Sequence, residues 1–170
     1  SMLISWIHAF RFWWLIRNNK LRELEMSLVQ KLLLPGSVAI DIGANSANWT
    51  YVLSYQVGED GLIFAFEADP YYANVTKKAI QLLRLNNVQF FAFGLSDRSE
   101  MLPLEIIDET GRRLSGTSRI VNIGELPTKR VISVRLEPLD ELAISLPRIK
   151  EVSMIKCDVE GFELKVFRGA

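Results

Sequence analysis

A chain of 170 residues, 49% hydrophobic and 24% charged, has the length and composition of a globular domain with a buried core, which sets aside disordered and fibrous classes. Lys plus Arg and Asp plus Glu number 20 each, so no net field gathers a polyanion, and nucleic acid is disfavoured as a partner. One cysteine, Cys157, and one histidine, His8, exclude an internal disulfide and a Cys/His zinc site and fit a reducing, cytoplasmic setting.

Ser1 ahead of Met2 reads as a residue left by tag removal and carries no weight for the fold. Residues 2–16 are rich in large apolar side chains (Trp6, Ile7, Phe10, Phe12, Trp13, Trp14), but Arg11 interrupts the run and Arg17 closes it. That is too short and too charged for a span of roughly 20 apolar residues, and no small-residue cleavage pattern marks a signal peptide. Three readings remain for it: packing on the domain's own surface or on a partner copy, which is preferred; contact with a membrane interface, suited by Trp and Phe beside Arg; and an exposed loop. Leu21, Leu24, Leu28 and Leu32 then recur at helical spacing until Pro35-Gly36 stops them, so residues 2–34 form an N-terminal helical segment.

From residue 35 to 170 the pattern is that of an α/β core. Residues 37–42 form a short apolar strand, 47–57 a helix, Gly58 to Gly61 a turn and 62–66 a second buried strand. Asp69-Pro70 is a helix-start signal, with the carboxylate able to cap and proline tolerated at the first helical position. That helix runs to about Leu85, Asn86-Asn87 breaks it, and 88–95 is the third strand. This cadence implies right-handed crossovers and a doubly wound, mostly parallel sheet. Residues 98–137 depart from the rhythm, with β-like runs at 101–107 and 130–136 around a polar loop holding Gly111, Ser115, Gly116 and Thr117, and read as an inserted hairpin or flap. A short helix at 138–146, a core strand at 153–157 and a helix from Phe162 complete the chain.

Ligands of open parallel sheets bind beyond the carboxyl ends of the strands, at the switch point of strand order. The first strand ends in Asp41-Ile42-Gly43-Ala44-Asn45-Ser46, where glycine permits a tight turn and close approach to the backbone. Glu67 ends the second strand 24 positions after Gly43, near the spacing at which a carboxylate accepts ribose hydroxyls. A dinucleotide needs a further glycine to cradle its pyrophosphate, and Asn45 and Ser46 stand there instead. The combination favours a phosphate-free, cationic nucleoside such as S-adenosylmethionine over a nicotinamide cofactor. Lys156, Asp158 and Glu160 alternate at period two, and three charges on one side of a core strand require solvent or a ligand. The alternative ends the strand at Cys157 and leaves these charges in a solvated loop, with Glu163 in the first turn of the next helix.

The stretches VAIDIGAN (38–45), IFAFEAD (63–69), FGLSD (93–97), LEPLDEL (136–142) and IKCDVEGFELKVFRGA (155–170) resemble, in order and spacing, the FkbM family of S-adenosylmethionine-dependent methyltransferases. The last is the most specific, since the family's hallmark reads close to K-x-D-V-E-G-x-E. The resemblance implies a Rossmann-like class I methyltransferase that methylates a hydroxyl oxygen of a small-molecule or glycan acceptor such as a sugar, glycolipid or polyketide. By the same resemblance Asp41, Gly43, Ala44 and Asn45 lie along the methionine part of S-adenosyl-L-methionine, Glu67 holds the ribose and Asp97 lies near the adenine. Asp158 faces cofactor and acceptor as the favoured base, with Lys156 and Glu160 as the other candidates, and Glu160 and Glu163 bind the acceptor. Ser46-Ala47 departs from the Ile-Gly or Val-Gly pair that often follows the family's Asn.

A divalent cation on Asp158 and Glu160 is conceivable, but two carboxylates make a poor ligand set, and no metal is expected. Doubly wound methyltransferases usually carry seven strands, so the C-terminal strands are expected to lie outside this sequence. The fourth strand would then be an exposed apolar edge, which together with the N-terminal helix offers a surface for homo-oligomerisation. Two other functional classes stay open: a non-catalytic scaffold that keeps the sheet but binds no methyl donor, and a nicotinamide-dependent oxidoreductase.

Overall fold

The computed structural model describes residues 2–18, 26–107, 118–121 and 130–170. Its elements run α1 (Met2–Arg17), α2 (Met26–Leu32), β1 (Val38–Ile42), α3 (Asn48–Val57), β2 (Leu62–Phe66), α4 (Pro70–Leu83), β3 (Val88–Phe91), β4 (Gly94–Leu95), β5 (Glu100–Glu105), β6 (Val131–Glu137), α5 (Leu139–Ala143), a 3-10 turn (Ile149–Glu151), β7 (Val152–Cys157) and α6 (Glu163–Arg168).

Four parallel strands form the central sheet in the order β3-β2-β1-β7. β1 is buried along its whole length, which explains why it reads as an unbroken apolar run rather than an alternating one. Period two still sorts its side chains between the two faces. Ala39 and Ile63 face Val29, Leu33, Leu53 and Val57 from the α2 and α3 side. Val38, Ile40, Ile42, Phe64 and Phe66 face Leu102, Leu104, Val134, Leu136, Phe162 and Val166. The second face is therefore covered largely by another sheet, in which β4 runs parallel and β5 antiparallel to β6.

Local chemistry fixes the helix that flanks the site. Asp69 Oδ1 accepts from Tyr71 N at 2.8 Å, Pro70 opens the helix, and α4 stops at Arg84 in the left-handed region. Asn87 then donates to Ser54 O and Gly58 O at 3.0 and 2.7 Å, tying the start of β3 to the end of α3.

The structure departs from the sequence reading at the third strand, and it gives the inserted hairpin and the N-terminal run their places. The strand expected over 88–95 breaks after Phe91, because Phe66, Phe91 and Phe93 pack as an aromatic cluster with centroids 4.9 to 5.9 Å apart, and β4 passes to the second sheet. The runs around 101–107 and 130–136 pair from Glu100↔Leu136 to Glu105↔Val131 as β5 and β6, in a sheet that helps build the core. The polar loop with Gly111, Ser115, Gly116 and Thr117 lies outside the described residues, as does the first part of the helix expected from Leu21. The aromatic N-terminal run is a helix packed against α4, not an exposed loop; Tyr71 hydroxyl hydrogen-bonds His8 Nδ1 at 2.5 Å.

The two layers are joined at the chain's last turn. Asp140 N donates to Gly169 O at 2.9 Å, and a Cβ on Gly169 would stand 2.1 Å from the Ser96 carbonyl oxygen. No flexible side chain can yield there, since the obstacle is backbone. Gly169→Ala is expected to lower stability by about 1–3 kcal/mol. Urea unfolding should show a reduced midpoint with an unchanged slope.

Candidate active site

β1 is flanked by β2 and β7, so the chain crosses over to opposite sides of it and leaves a crevice beyond the carboxyl ends of the strands. A cleft of about 350 Å³ occupies that crevice. One wall comes from the strand ends: Gly43, Ala44 and Asn45 after β1, Glu67, Ala68 and Asp69 after β2, and Lys156, Asp158, Val159 and Glu160 at β7. The other wall is mostly apolar, with Leu95, Leu104, Ile120, Leu136 and Phe162, and Phe12, Trp49 and Tyr72 complete the lining.

The glycine turn is held from both sides. Gly43 N and Ala44 N each donate to Phe66 O at 3.0 Å, and Asp158 N donates to Ile42 O at 3.1 Å. Gly43 has φ +78, and a Cβ there would lie 2.2 Å from Asp158 O, so only glycine lets the two loops approach. Lys156 Nζ crosses the gap to donate to Gly43 O at 3.0 Å.

Beneath this turn lies a fully buried carboxylate. Asp41 Oδ2 accepts from Thr50 Oγ1 at 2.6 Å, whereas Oδ1 has no hydrogen bond and faces Lys156 Nζ at 3.4 Å. The same ammonium lies 3.8 Å from Asp158 Oδ2, whose side chain is 65% exposed. Lys156 thus links a buried anion under the floor to an open one in the cleft, while its third contact fixes the turn between them.

Glu67 is another acidic group of that wall. Its Oε2 accepts from Asn45 N at 2.7 Å and its Oε1 from Asp69 N at 2.8 Å. Both bonds favour the charged form, yet burial outweighs them and pushes the carboxyl up to about 7, with Asp69 and Asp41 adding repulsion. Asn45 Oδ1 is buried without a hydrogen-bond partner on a residue that lines the cleft, so an acceptor stands ready for a donor there.

Of the residues singled out from sequence, Gly43, Ala44, Asn45, Glu67, Lys156, Asp158 and Glu160 line the cleft, and Asp41, Asp97 and Glu163 do not. Asp41 is sealed below because β1 is covered on both faces. Asp97 lies instead among Ser96, Arg98 and Lys165: desolvation, the largest single influence, raises its carboxyl, but the hydrogen bond and charge of Arg98, the charge of Lys165 and the Ser96 hydroxyl together hold it below the usual range. Glu163 Oε1 instead accepts from Val159 N and Gly161 N at 3.2 Å each, bracing the loop that carries Asp158. β7 ends at Cys157, and Glu160 lies in a left-handed turn at φ 51, so the period-two alternation of three charges does not extend past the strand. Among the described residues no group of three or more His, Cys, Asp and Glu side chains converges as a metal site.

The sequence reading missed Phe12, Trp49, Tyr72, Leu104, Ser118 and Ile120. Tyr72 follows the capped start of α4 and could have been found from that helix's position after β2. Phe12 and the residues of the second sheet arrive from elsewhere in the fold and carry no local signal.

A model of the Methyltransferase FkbM domain matches residues 41–170. The chain belongs to the FkbM methyltransferase domain family. Methyltransferase FkbM from Methylobacillus flagellatus shares its fold, at a TM-score of 0.52 and 14% identity over 79% of this chain and 28% of that one. Ribosomal RNA large subunit methyltransferase E of Dechloromonas aromatica is 27% identical over 150 residues, 86% of this chain and 63% of that protein. Demethylmenaquinone methyltransferase of Bacillus mycoides is 34% identical over 55 residues, 32% of this chain and 23% of that protein. This FkbM-family chain therefore spans 63% and 23% of the lengths of those two relatives.

The buried charge pair generates a test. Lys156→Met leaves Asp41 without its cation in a dry site and is expected to cost about 3–5 kcal/mol. Adding Asp41→Asn removes the stranded charge and should recover much of that loss, as a double-mutant cycle in urea would measure. Strict additivity of the two changes would show that the pair is not coupled.

Proposed function

We propose that this FkbM-family protein binds S-adenosyl-L-methionine in the cleft and methylates a hydroxyl oxygen of a small-molecule or glycan acceptor. The observation that carries this reading is the pairing of the Gly43 turn with Glu67 across the ends of β1 and β2, with Asp158 beside the turn in the same cleft. The residues fit such a donor. The Glu67 carboxylate has acceptor sites left for ribose hydroxyls, and Asn45 Oδ1 suits the ammonium of the methionine part. A pyrophosphate fits less well, because Asn45 N is already committed to Glu67 and the following left-handed position is Ala47, not glycine. Gly43, Ala44 and Asn45 are assigned to the donor directly, and Asp41 supports the turn from below through Lys156.

When bound, the donor supplies a methyl group already activated by its sulfonium. What the protein adds is alignment and dryness: the apolar wall of Leu104, Ile120, Leu136 and Phe162 excludes water from one side of the reacting atoms. The acceptor hydroxyl must also lose its proton as the oxygen-carbon bond forms and the sulfur-carbon bond breaks. We assign that proton to the Asp158 carboxylate, which borders the cleft, with Lys156 holding the loop that presents it. Glu160, exposed on the same loop, is assigned to the acceptor side.

Titration calorimetry should detect S-adenosylmethionine binding near pH 8 and no comparable binding of NAD. Because the ribose contact needs ionised Glu67, affinity should fall as pH drops through 7, by at most about tenfold per unit. A scaffold without donor binding would give no heat, and a pH-independent affinity would remove Glu67 from the contact. Asp158→Ala should lower turnover by about 10²- to 10⁴-fold while leaving donor affinity nearly unchanged. Full turnover in that variant would take the base role from Asp158.

A further inference from the structure

α1 has two faces of different fate. Ser5, Ala9, Phe12 and Ile16, spaced by four and three, form the inner stripe: Ser5, Ala9 and Ile16 are buried, and Phe12 turns into the cleft. Ile4, Trp6, Ile7, Phe10 and Trp14 are 41 to 57% exposed, and Arg11 is exposed among them. Steps of about 100° per residue place these six in one arc of about 160° on the side away from that stripe. So broad an apolar face on a helix that already has its packing partner is not accounted for by the fold.

Charge says what covers it. The chain as a whole is neutral, yet α1 and the helix it packs on, α4, carry Arg11, Arg17, Lys77 and Lys78 and not one Asp or Glu. Lys78 Nζ sits 4.9 Å from the centroid of the Trp6 ring and hydrogen-bonds Ser5, at the border of the apolar face, and Lys77 is exposed. Tryptophan and phenylalanine at the centre with cations among and beside them match the boundary between acyl chains and anionic headgroups. A second copy of the chain would bring the same positive surplus against itself. RNA would take many phosphate contacts but leave the aliphatic residues Ile4 and Ile7 in water. No helix among the described residues is long and apolar enough to cross a membrane, so the contact is peripheral.

We propose that α1 docks the protein on an anionic lipid bilayer, lying in the interface with Ile4, Trp6, Ile7, Phe10 and Trp14 inserted and Arg11 among the headgroups. A helix of 16 residues lies about 24 Å along the surface. Since Phe12 on its inner side lines the cleft, docking sets the cleft beside the lipid.

The test is flotation of the full 170-residue chain with vesicles of phosphatidylcholine alone or with phosphatidylglycerol added. It needs neither methyl donor nor turnover, so its result is independent of the proposed reaction. The expected result is flotation with the anionic vesicles, a blue shift of tryptophan emission and weakening by salt. Trp6→Ser with Trp14→Ser should cut partitioning by about tenfold or more. Arg11→Gln should cut it by about fivefold, with an unchanged thermal midpoint showing that the variants still fold. Absence of flotation with anionic vesicles, or flotation that the variants leave intact, would overturn the proposal. So would lipid-free dimerisation abolished by the tryptophan changes, which gives the face to a second copy, or tighter binding of a structured RNA than of vesicles.

Discussion

The close approach of the loops after β1 and β7 governs this molecule. A glycine where a Cβ would strike the opposite backbone lets Asp158 stand over the turn at Gly43, and Lys156 spans the join by bonding the turn's carbonyl. That lysine is held in place by Asp41, a carboxylate taken wholly out of water. A buried charge is costly unless paired, so the pair specifies one arrangement of the two strand ends rather than adding much net stability. The shape of the cleft floor follows from it.

Around that join two of the acidic residues that line the cleft, Glu67 and Asp158, are set to different tasks by their surroundings. Glu67 is desolvated, which raises its carboxyl to about 7 against the two backbone N–H bonds that it accepts. Asp158 is exposed, with its Oδ2 3.8 Å from the Lys156 ammonium. The fixed carboxylate suits recognition and the open one suits proton transfer, which is the division on which the proposed methyl transfer rests. The wall across from them is apolar because most of it comes from the second sheet, whose inner residues also close the core.

The N-terminal helix extends the same economy of use. Its inner stripe closes part of the cleft and packs on α4, while its outer arc keeps tryptophan, phenylalanine and isoleucine in solvent beside a one-signed set of charges. A helix that is apolar all round cannot satisfy both faces on one globular surface. Bilayer docking gives the outer face an environment without asking anything of the sheet.

The sequence by itself determined the parallel core strands, the capped start of α4, the glycine turn and the acidic end of β2, because each depends on residues adjacent in the chain and on period-two or period-3.6 patterning. Membership of the FkbM family was legible for the same reason, since its motifs are contiguous. Tertiary structure decided what each charge does. Asp41 and Glu67 look equivalent as strand-end carboxylates, yet one is sealed under Lys156 and Thr50 and the other opens to the cleft. Asp97 and Glu163 carry the right chemistry but do not line the cleft, and Phe12 reaches it from 29 residues before Asp41. Local pattern cannot encode burial or partners that come from distant segments, because both depend on which elements the sheet order brings side by side.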